Sequence, residues 1–313
     1  ASWSRGLGDV YKRQVMGSAL LGHFRNIFFS ILCFVFCYLI GSLVDENTIG
    51  QGQTSLVMIA MFISFAVHIV LYIPAYIFQT EKFYDLTGSF TYFLTLSTVL
   101  YLKYLAVSSN LELRSILIFA CVMIWTFRLG SFLFWRVLKD GEDKRFRSIL
   151  PNFSQLFMTW MLSATWVFIQ SLTALVAITT LNKADFGLLG ALGLIIWVMG
   201  FSVEVVADNQ KTKFRSDPKN KDKFITTGLW SLSRHPNYVG EIMLWIGISI
   251  MALPVLTGYQ YGSLISPLFS FLLIYYVSGV RMLEARANKK WGNNEKYQEY
   301  KRNTPIFFPK IPK

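Results

Sequence analysis

The chain has 313 residues, of which 53% are hydrophobic and 15% are charged. This balance is too apolar for a soluble domain of that length, and it predicts a polytopic protein whose partner is the lipid bilayer. The formal net charge is +12. The Lys and Arg side chains lie mostly in predicted loops and tails, which is typical of cytosolic membrane loops, so we expect no nucleic-acid partner.

The cysteines and histidines predict no metal site. Cys33, Cys37 and Cys121 all lie inside apolar runs, which favours packing roles over a disulfide framework. The three histidines are scattered along the chain without metal-ligand spacing.

The first fifteen residues are polar, unpatterned and followed by Met16. We interpret residues 1–15 as a leader or a non-native stretch and set them aside from the fold. The predicted organisation is an N-terminal arm, residues 1–24, and a single transmembrane catalytic domain, residues 25–313. Within that domain the cofactor site is expected mainly in residues 200–313.

Apolar segments of about 20 residues recur along the chain, and each is long enough to cross a hydrocarbon core of ~30 Å. The fold class is therefore all-α, a polytopic helical bundle of seven to eight transmembrane helices. The last two segments are separated by only four residues, so one of them could be shallow or re-entrant. The segments are 25–44, 55–79, 89–107, 112–138, 155–181, 186–209, 237–257 and 261–280.

The basic residues test this count. They concentrate in the N-terminal arm, in the 139–154 and 210–236 loops, and in the tail from Arg281. With eight crossings these regions all fall on one side, so we expect both termini to be cytosolic. Gly187, Gly190 and Gly193 lie within a span and lack the context of a dinucleotide fold, so we expect them to allow close helix packing.

Charged residues within apolar spans are costly and therefore mark candidate sites. Arg128 and Arg136 are about two helical turns apart on one face of the fourth segment. Arg136 could reach to the interface, whereas Arg128 lies deeper and could contact an anion or a buried acid.

Glu204 and Asp208 are four residues apart near the end of the sixth segment, and Arg215 follows. The acids could pair with loop lysines. Alternatively, Asp208 accepts hydrogen bonds from cofactor hydroxyl or amino groups while Arg215 binds phosphate, which suits its planar donor fork.

The densest polar stretch is TTGLWSLSRHPNYVGE, residues 226–241. Pro236 predicts a helix start, whose free N–H groups would form an anion site beside Arg234 and His235. Asn237 and Glu241 share a helix face.

Two further polar stretches have open interpretations. Tyr84 and Asp85, between the second and third segments, could form a simple turn or contribute to substrate polarisation. The tail from Arg281 and Glu284 to Pro309 could be an interfacial helix with an aromatic anchor or a lid over a cofactor.

The RHPNYVGE stretch, the upstream pair of Asp208 and Arg215, FYDLTGS at 83–89 and the GVRMLEARANKKWG tail resemble the steroid 5-alpha-reductase-like family, in particular its DUF1295 branch. The resemblance covers roughly residues 55–313. It implies a membrane enzyme, in the endoplasmic reticulum of a eukaryote, that uses NADPH to reduce a carbon–carbon double bond in a hydrophobic substrate. It also implies that Asp208, Arg215, Asn237, Tyr238 and Arg281 surround NADPH, with Glu241 near the nicotinamide.

Two positions depart from this pattern. Trp125 stands where steroid reductases carry a Tyr that donates to the steroid ketone, and Glu204 replaces an Asn that contacts the cofactor. Either Tyr84 or another Tyr replaces the missing hydroxyl, or the substrate is not an enone steroid.

The C-terminal half also resembles isoprenylcysteine carboxyl methyltransferases and phospholipid N-methyltransferases. The matching residues are Arg234, His235, Pro236, Tyr238, Gly240 and Glu284. This second resemblance implies S-adenosylmethionine as the cofactor. The arginine density and the acid in NYVGE favour the phosphate-bearing NADPH. A third possibility is a lipid-binding or scaffold protein without catalysis.

Overall fold

The computed structural model of the chain describes the backbone of residues 2–108 and 110–308, and side chains from residue 20 onward except 140 and 278. Apart from a hairpin of two-residue strands, β1 (Gly50–Gln51) and β2 (Thr54–Ser55), the described chain is built from helices, which confirms the all-α fold class. The helices are α1 (Ser2–Val44), α2 (Leu56–Ile77), α3 (Tyr84–Ala106), α4 (Leu113–Asp140), α5 (Phe153–Thr179), α6 (Gly187–Ser216), α7 (Pro236–Ala252), α8 (Ile265–Leu272), α9 (Val280–Trp291) and α10 (Glu295–Asn303).

Seven helical segments of the described chain are long and apolar enough to cross a membrane. The predicted third segment forms α3 over 23 residues but is not among the seven, because Thr, Ser and Tyr side chains interrupt its apolar run. The count therefore confirms the prediction of seven to eight spans. The cytosolic placement of both termini, and the division into an arm and one domain, stay predictions.

The chain divides into two compact units. The first comprises residues 1–109 and 122–169, and the second comprises residues 110–121 and 170–313. In the first unit α2 packs against α1 and α3, and in the second α6 packs along α7.

The α6–α7 contact is a seam of glycines. A Cβ on Gly193 would lie 2.6 Å from the carbonyl oxygen of Gly247, and one on Gly200 would lie 2.7 Å from that of Gly240. The glycines recur every seven residues in both helices, so the two backbones approach twice on one face. The packing role predicted for Gly193 is confirmed.

The prediction of close helix packing was wrong for Gly187 and Gly190. Gly187 has open space where a side chain would be, and a Cβ on Gly190 would meet the Phe186 ring next to its own helix.

The predicted eighth segment, residues 261–280, does not form one continuous α-helix. A π-helical turn, Leu273–Ser278, follows α8, and Gly279 separates it from α9. A Cβ on Gly279 would lie 3.0 Å from the Tyr238 ring and 2.5 Å from the carbonyl oxygen of Ile274. A glycine here lets the first turn of α7 lie directly against the start of α9.

Candidate cofactor site

The second unit joins α7 to α9 through a cluster of three charged or titratable side chains. The Arg234 guanidinium donates to Oε2 of Glu284, and Nε2 of His235 lies 3.0 Å from Oε1 of the same carboxylate. The three side chains are only 6% to 18% exposed. Burial lowers the pKa of His235 below its ordinary value, although the Glu284 carboxylate acts in the opposite direction. A neutral ring with its proton on Nε2 can donate a hydrogen bond to this carboxylate.

The C-terminal tail is fastened to the loop before α7. The Arg234 N–H donates to the carbonyl of Pro305 at 2.9 Å, and the Ser233 hydroxyl donates to that of Ile306 at 3.0 Å. The Tyr300 hydroxyl donates to the Trp230 carbonyl at 2.6 Å. These bonds hold the tail against the loop, and both interpretations of the tail, an interfacial anchor and a lid over a cofactor, stay predictions.

The first turn of α7 differs from its prediction in one respect. Pro236 opens the helix as predicted. However, the N–H groups of Tyr238 and Val239 both donate to the His235 carbonyl, at 3.1 and 3.2 Å. The expectation of free backbone donors was therefore wrong for these two residues, because the chain turns tightly onto the His235 carbonyl. The Tyr238 ring instead stacks on His235, with centroids 5.7 Å apart.

The end of α6 borders the same loop. Glu204 and Asp208 are both buried, and a Cβ on Gly240 would lie 2.9 Å from the Glu204 Cβ. The Trp230 indole donates to the Ala207 carbonyl at 3.0 Å. Glu204 is thus packed against α7, and Asp208 is buried one turn further along α6, next to the residue that binds Trp230.

The remaining predicted residues of the second unit lie on the same elements. Arg215 is exposed in the last turn of α6, and Asn237 is half-buried in the first turn of α7. Arg281 is exposed in the first turn of α9, with its guanidinium 5.8 Å from the centre of the Tyr276 ring.

Glu241 is buried in the second turn of α7. Nε2 of Gln170, on α5, lies 3.4 Å from its Oε1. Gln170 was missed because only charged groups were considered within the spans. A carboxamide inside the apolar α5 sequence is the signal that could have revealed it.

Four of the predicted residues belong to the first unit. Arg136 lies 3.8 Å from Asp85, so it pairs with an acid at the start of α3. The Tyr84 hydroxyl donates to the Thr159 carbonyl at 3.1 Å. Arg128 places its guanidinium 5.1 Å from the centre of the Phe132 ring. The first two contacts join α3 to α4 and to α5 within this unit, whereas the third lies within α4.

Trp125, the departure from the steroid reductase pattern, is buried in the first unit. Its ring packs edge-on against Tyr92, with centroids 5.4 Å apart at 89°. The indole therefore fills a packed position.

A profile of the family described as "Protein of unknown function (DUF1295)" matches residues 71–304. The chain belongs to the DUF1295 family. This match, which covers most of the chain, confirms the resemblance drawn from the sequence motifs.

The DUF1295 chain is similar to several curated proteins over part of their length. It is 35% identical over 111 residues to Delta(14)-sterol reductase ERG24A of Gibberella zeae, covering 30% of this chain and 22% of that protein. It is 31% identical over 119 residues to steroid 5-alpha-reductase DET2 of Gossypium hirsutum, covering 38% of this chain and 41% of that protein. It is 35% identical over 79 residues to the probable O-methyltransferase ustE of Ustilaginoidea virens, covering 25% and 26%. The chain thus spans less than half the length of these relatives. No solved structure matches.

Proposed function

We propose that this protein is a membrane-embedded, NADPH-dependent reductase of a carbon–carbon double bond in a sterol-like or other lipid substrate. The observation that carries the proposal is the similarity to sterol and steroid reductases, in a chain whose described residues form seven helical segments long and apolar enough to cross a membrane. The buried acid Glu241, one turn into a helix that begins beside the Arg234–Glu284 ion pair, supplies suitable chemistry.

The donors at the start of α7 fit an anionic nucleotide. Within the described residues, the Nε–H donor of Arg234 is buried and has no hydrogen-bond partner; Nδ1 of His235 is likewise buried and unpartnered, but with the ring proton on Nε2 it can only accept. Buried nitrogen atoms of this kind are costly unless a ligand satisfies them. The Arg234 Nε–H can donate to a phosphate oxygen, and the exposed Arg215 and Arg281 add two charges that suit phosphate groups.

In this proposal the cofactor is held by the residues that the family resemblance implies. Asp208 accepts from hydroxyl groups, Arg215 and Arg281 bind phosphate, and Asn237 and Tyr238 orient the ring system. Glu204, His235 and Glu284 support this arrangement, because Glu204 packs against Gly240 of α7 and Glu284 of α9 pairs with His235 and Arg234 before α7. NADPH supplies the hydride when it is bound.

Reduction of a double bond also requires a proton. Glu241 can hold and deliver one, since its carboxyl group lies in a buried, low-dielectric position within reach of the Gln170 amide. Tyr84 and Asp85 lie in the first unit, where the Tyr84 hydroxyl donates to the Thr159 carbonyl and Asp85 pairs with Arg136, and their part in substrate polarisation stays a prediction from the sequence. Arg136 beside Asp85 and Arg128 further along the same helix face give that region its charge.

A methyltransferase is the second candidate. The match to the probable O-methyltransferase ustE supports it. The Arg234–Glu284–His235 cluster is compatible with S-adenosylmethionine as well as with NADPH, since these three side chains bind one another. The number of reductases among the relatives gives NADPH the stronger support.

Calorimetry on the purified protein tests the choice of cofactor. NADPH should bind more tightly than NADH or S-adenosylmethionine. Arg215→Ala should weaken NADPH binding by about 1.5–3 kcal/mol, the contribution of a hydrogen bond to a charged group. Lys219→Ala, which removes an exposed charge from the following loop, is the matched control and should change affinity little. Binding of S-adenosylmethionine with none of NADPH would reverse the ranking.

Consumption of NADPH with a panel of lipids tests the reaction. The panel should include a sterol unsaturated at carbon 14 and a steroid unsaturated at carbon 5, the positions that the relatives' names indicate. Oxidation of NADPH that depends on one of these lipids, and is lost in Glu241→Gln, supports the proposal. Tight NADPH binding without turnover on any unsaturated lipid contradicts it.

A further inference from the structure

A buried carboxamide contacts the proposed acid from a different helix. Gln170 is fully buried on α5, and its Nε2 carries two N–H donors. The nitrogen lies 3.0 Å from the hydroxyl oxygen of Ser270 on α8 and 3.4 Å from Oε1 of Glu241 on α7, so one N–H is directed to each oxygen. One amide group therefore links three helices at the depth of the acid.

The Ser270 hydroxyl fixes the orientation of that amide. Its own proton goes to the Ser266 carbonyl at 3.0 Å, so its oxygen is left to accept from Gln170. With one amide hydrogen directed to Ser270, the planar group must direct the other towards Glu241. Gln170 and Ser270 are both fully buried, which strengthens each of these hydrogen bonds.

Further along α5, Thr173 makes a comparable contact that does not involve the acid. Its hydroxyl donates to the Ser263 carbonyl, at 2.5 Å, and lies 3.0 Å from the Ser266 hydroxyl. Hydrogen bonding between α5 and the 263–270 segment therefore continues without Gln170, and the amide is not needed merely to hold those elements together.

We propose that Gln170 is a positioning residue that orients the Glu241 carboxyl group. This inference rests on the proposed function, in which Glu241 delivers a proton. A carboxyl group in a buried site can rotate or take an unproductive orientation, and a fixed amide donor restricts it to one oxygen. Gln170 thus acts on the reaction through Glu241.

The test uses three variants of the full-length protein in detergent or nanodiscs. Gln170→Leu removes the amide at similar volume, Ser270→Ala removes the group that orients it, and Thr173→Val is the matched control. Gln170→Leu should lower turnover about tenfold, the equivalent of roughly one hydrogen bond, while NADPH affinity changes less than about twofold. Ser270→Ala should act in the same direction by a smaller factor, and Thr173→Val should leave turnover near that of the native protein.

An infrared measurement separates this inference from the proposed function, because it needs no cofactor. The carbonyl stretching band of Glu241 is assigned by its loss in Glu241→Gln. The band should shift in Gln170→Leu and in Ser270→Ala and stay in place in Thr173→Val. An unchanged band in both of the first two variants would overturn the positioning role, even if NADPH binds. If the band shifts but NADPH does not bind, the proposed reductase fails instead. If Gln170→Leu does not fold, Ser270→Ala decides the matter alone.

Discussion

Gly240→Ala tests the glycine seam and its connection to the site. The added Cβ would lie 2.5 Å from the backbone nitrogen of Glu204 and from the carbonyl oxygen of Gly200. A normal contact needs about 1 Å more, and backbone atoms cannot rotate away, so α6 and α7 must separate. Overpacking of this kind costs about 1–3 kcal/mol, and we take the upper end because the obstacles are backbone. The better helix propensity of Ala returns about 1 kcal/mol, which leaves a net loss of about 2 kcal/mol.

Thermal unfolding of the purified protein measures this loss, with two comparison variants. Gly22→Ala carries the same change in α1, where nothing lies within 4 Å, and should keep or raise the Tm. Gly247→Ala meets the backbone of Gly193 and Trp197 at 2.7 Å and should lower the Tm like Gly240→Ala. Only Gly240→Ala should also weaken NADPH binding, since it displaces Glu204. A Tm for Gly240→Ala equal to that of Gly22→Ala would refute the argument.

Two further predictions concern the cluster at the start of α7. Glu284→Gln leaves Arg234 without its counter-charge in a mostly buried position, so it should lower the free energy of unfolding by about 2–3 kcal/mol. Thermal or denaturant unfolding measures this loss. The control Glu299→Gln changes an exposed residue and should alter the stability little. Because burial lowers the pKa of His235 in the folded protein below its ordinary 6.5, the unfolded chain binds more protons, and stability should fall as pH decreases below about 6.5. The Tm should therefore decline less between pH 7.5 and pH 5.5 in His235→Asn than in the native protein, and an equal decline would show that another group is responsible.

The helices were predictable because their signals are local. Apolar runs of about 20 residues located every long helix, and Pro236 after a polar loop marked the first residue of α7. Of the three glycines singled out in α6, Gly193 allows close helix packing as predicted, whereas Gly187 and Gly190 do not, because sequence spacing does not specify which neighbours surround a glycine.

The side-chain pairing was harder to predict because it joins distant positions. Arg234 and Glu284 are separated by 50 residues, and Gln170 and Glu241 by 71. The sequence identified Arg234 and Glu284 as site residues but did not show that they neutralise one another. In the same way, the sequence did not show that the tail is hydrogen-bonded to the loop before α7.

Trp125 shows why the substrate is less predictable than the cofactor. An indole N–H can donate a hydrogen bond but cannot transfer a proton at neutral pH, so the residue cannot take over the chemistry of the Tyr it replaces. The indole is also packed edge-on against Tyr92, so this position belongs to the core of the first unit. In the proposed reaction the proton comes from the Glu241 carboxyl group, which makes Glu241 and its amide partner Gln170 the decisive pair. A substrate whose double bond is not activated by a ketone fits this arrangement better than an enone, because it needs a proton donor but no hydroxyl to polarise a carbonyl.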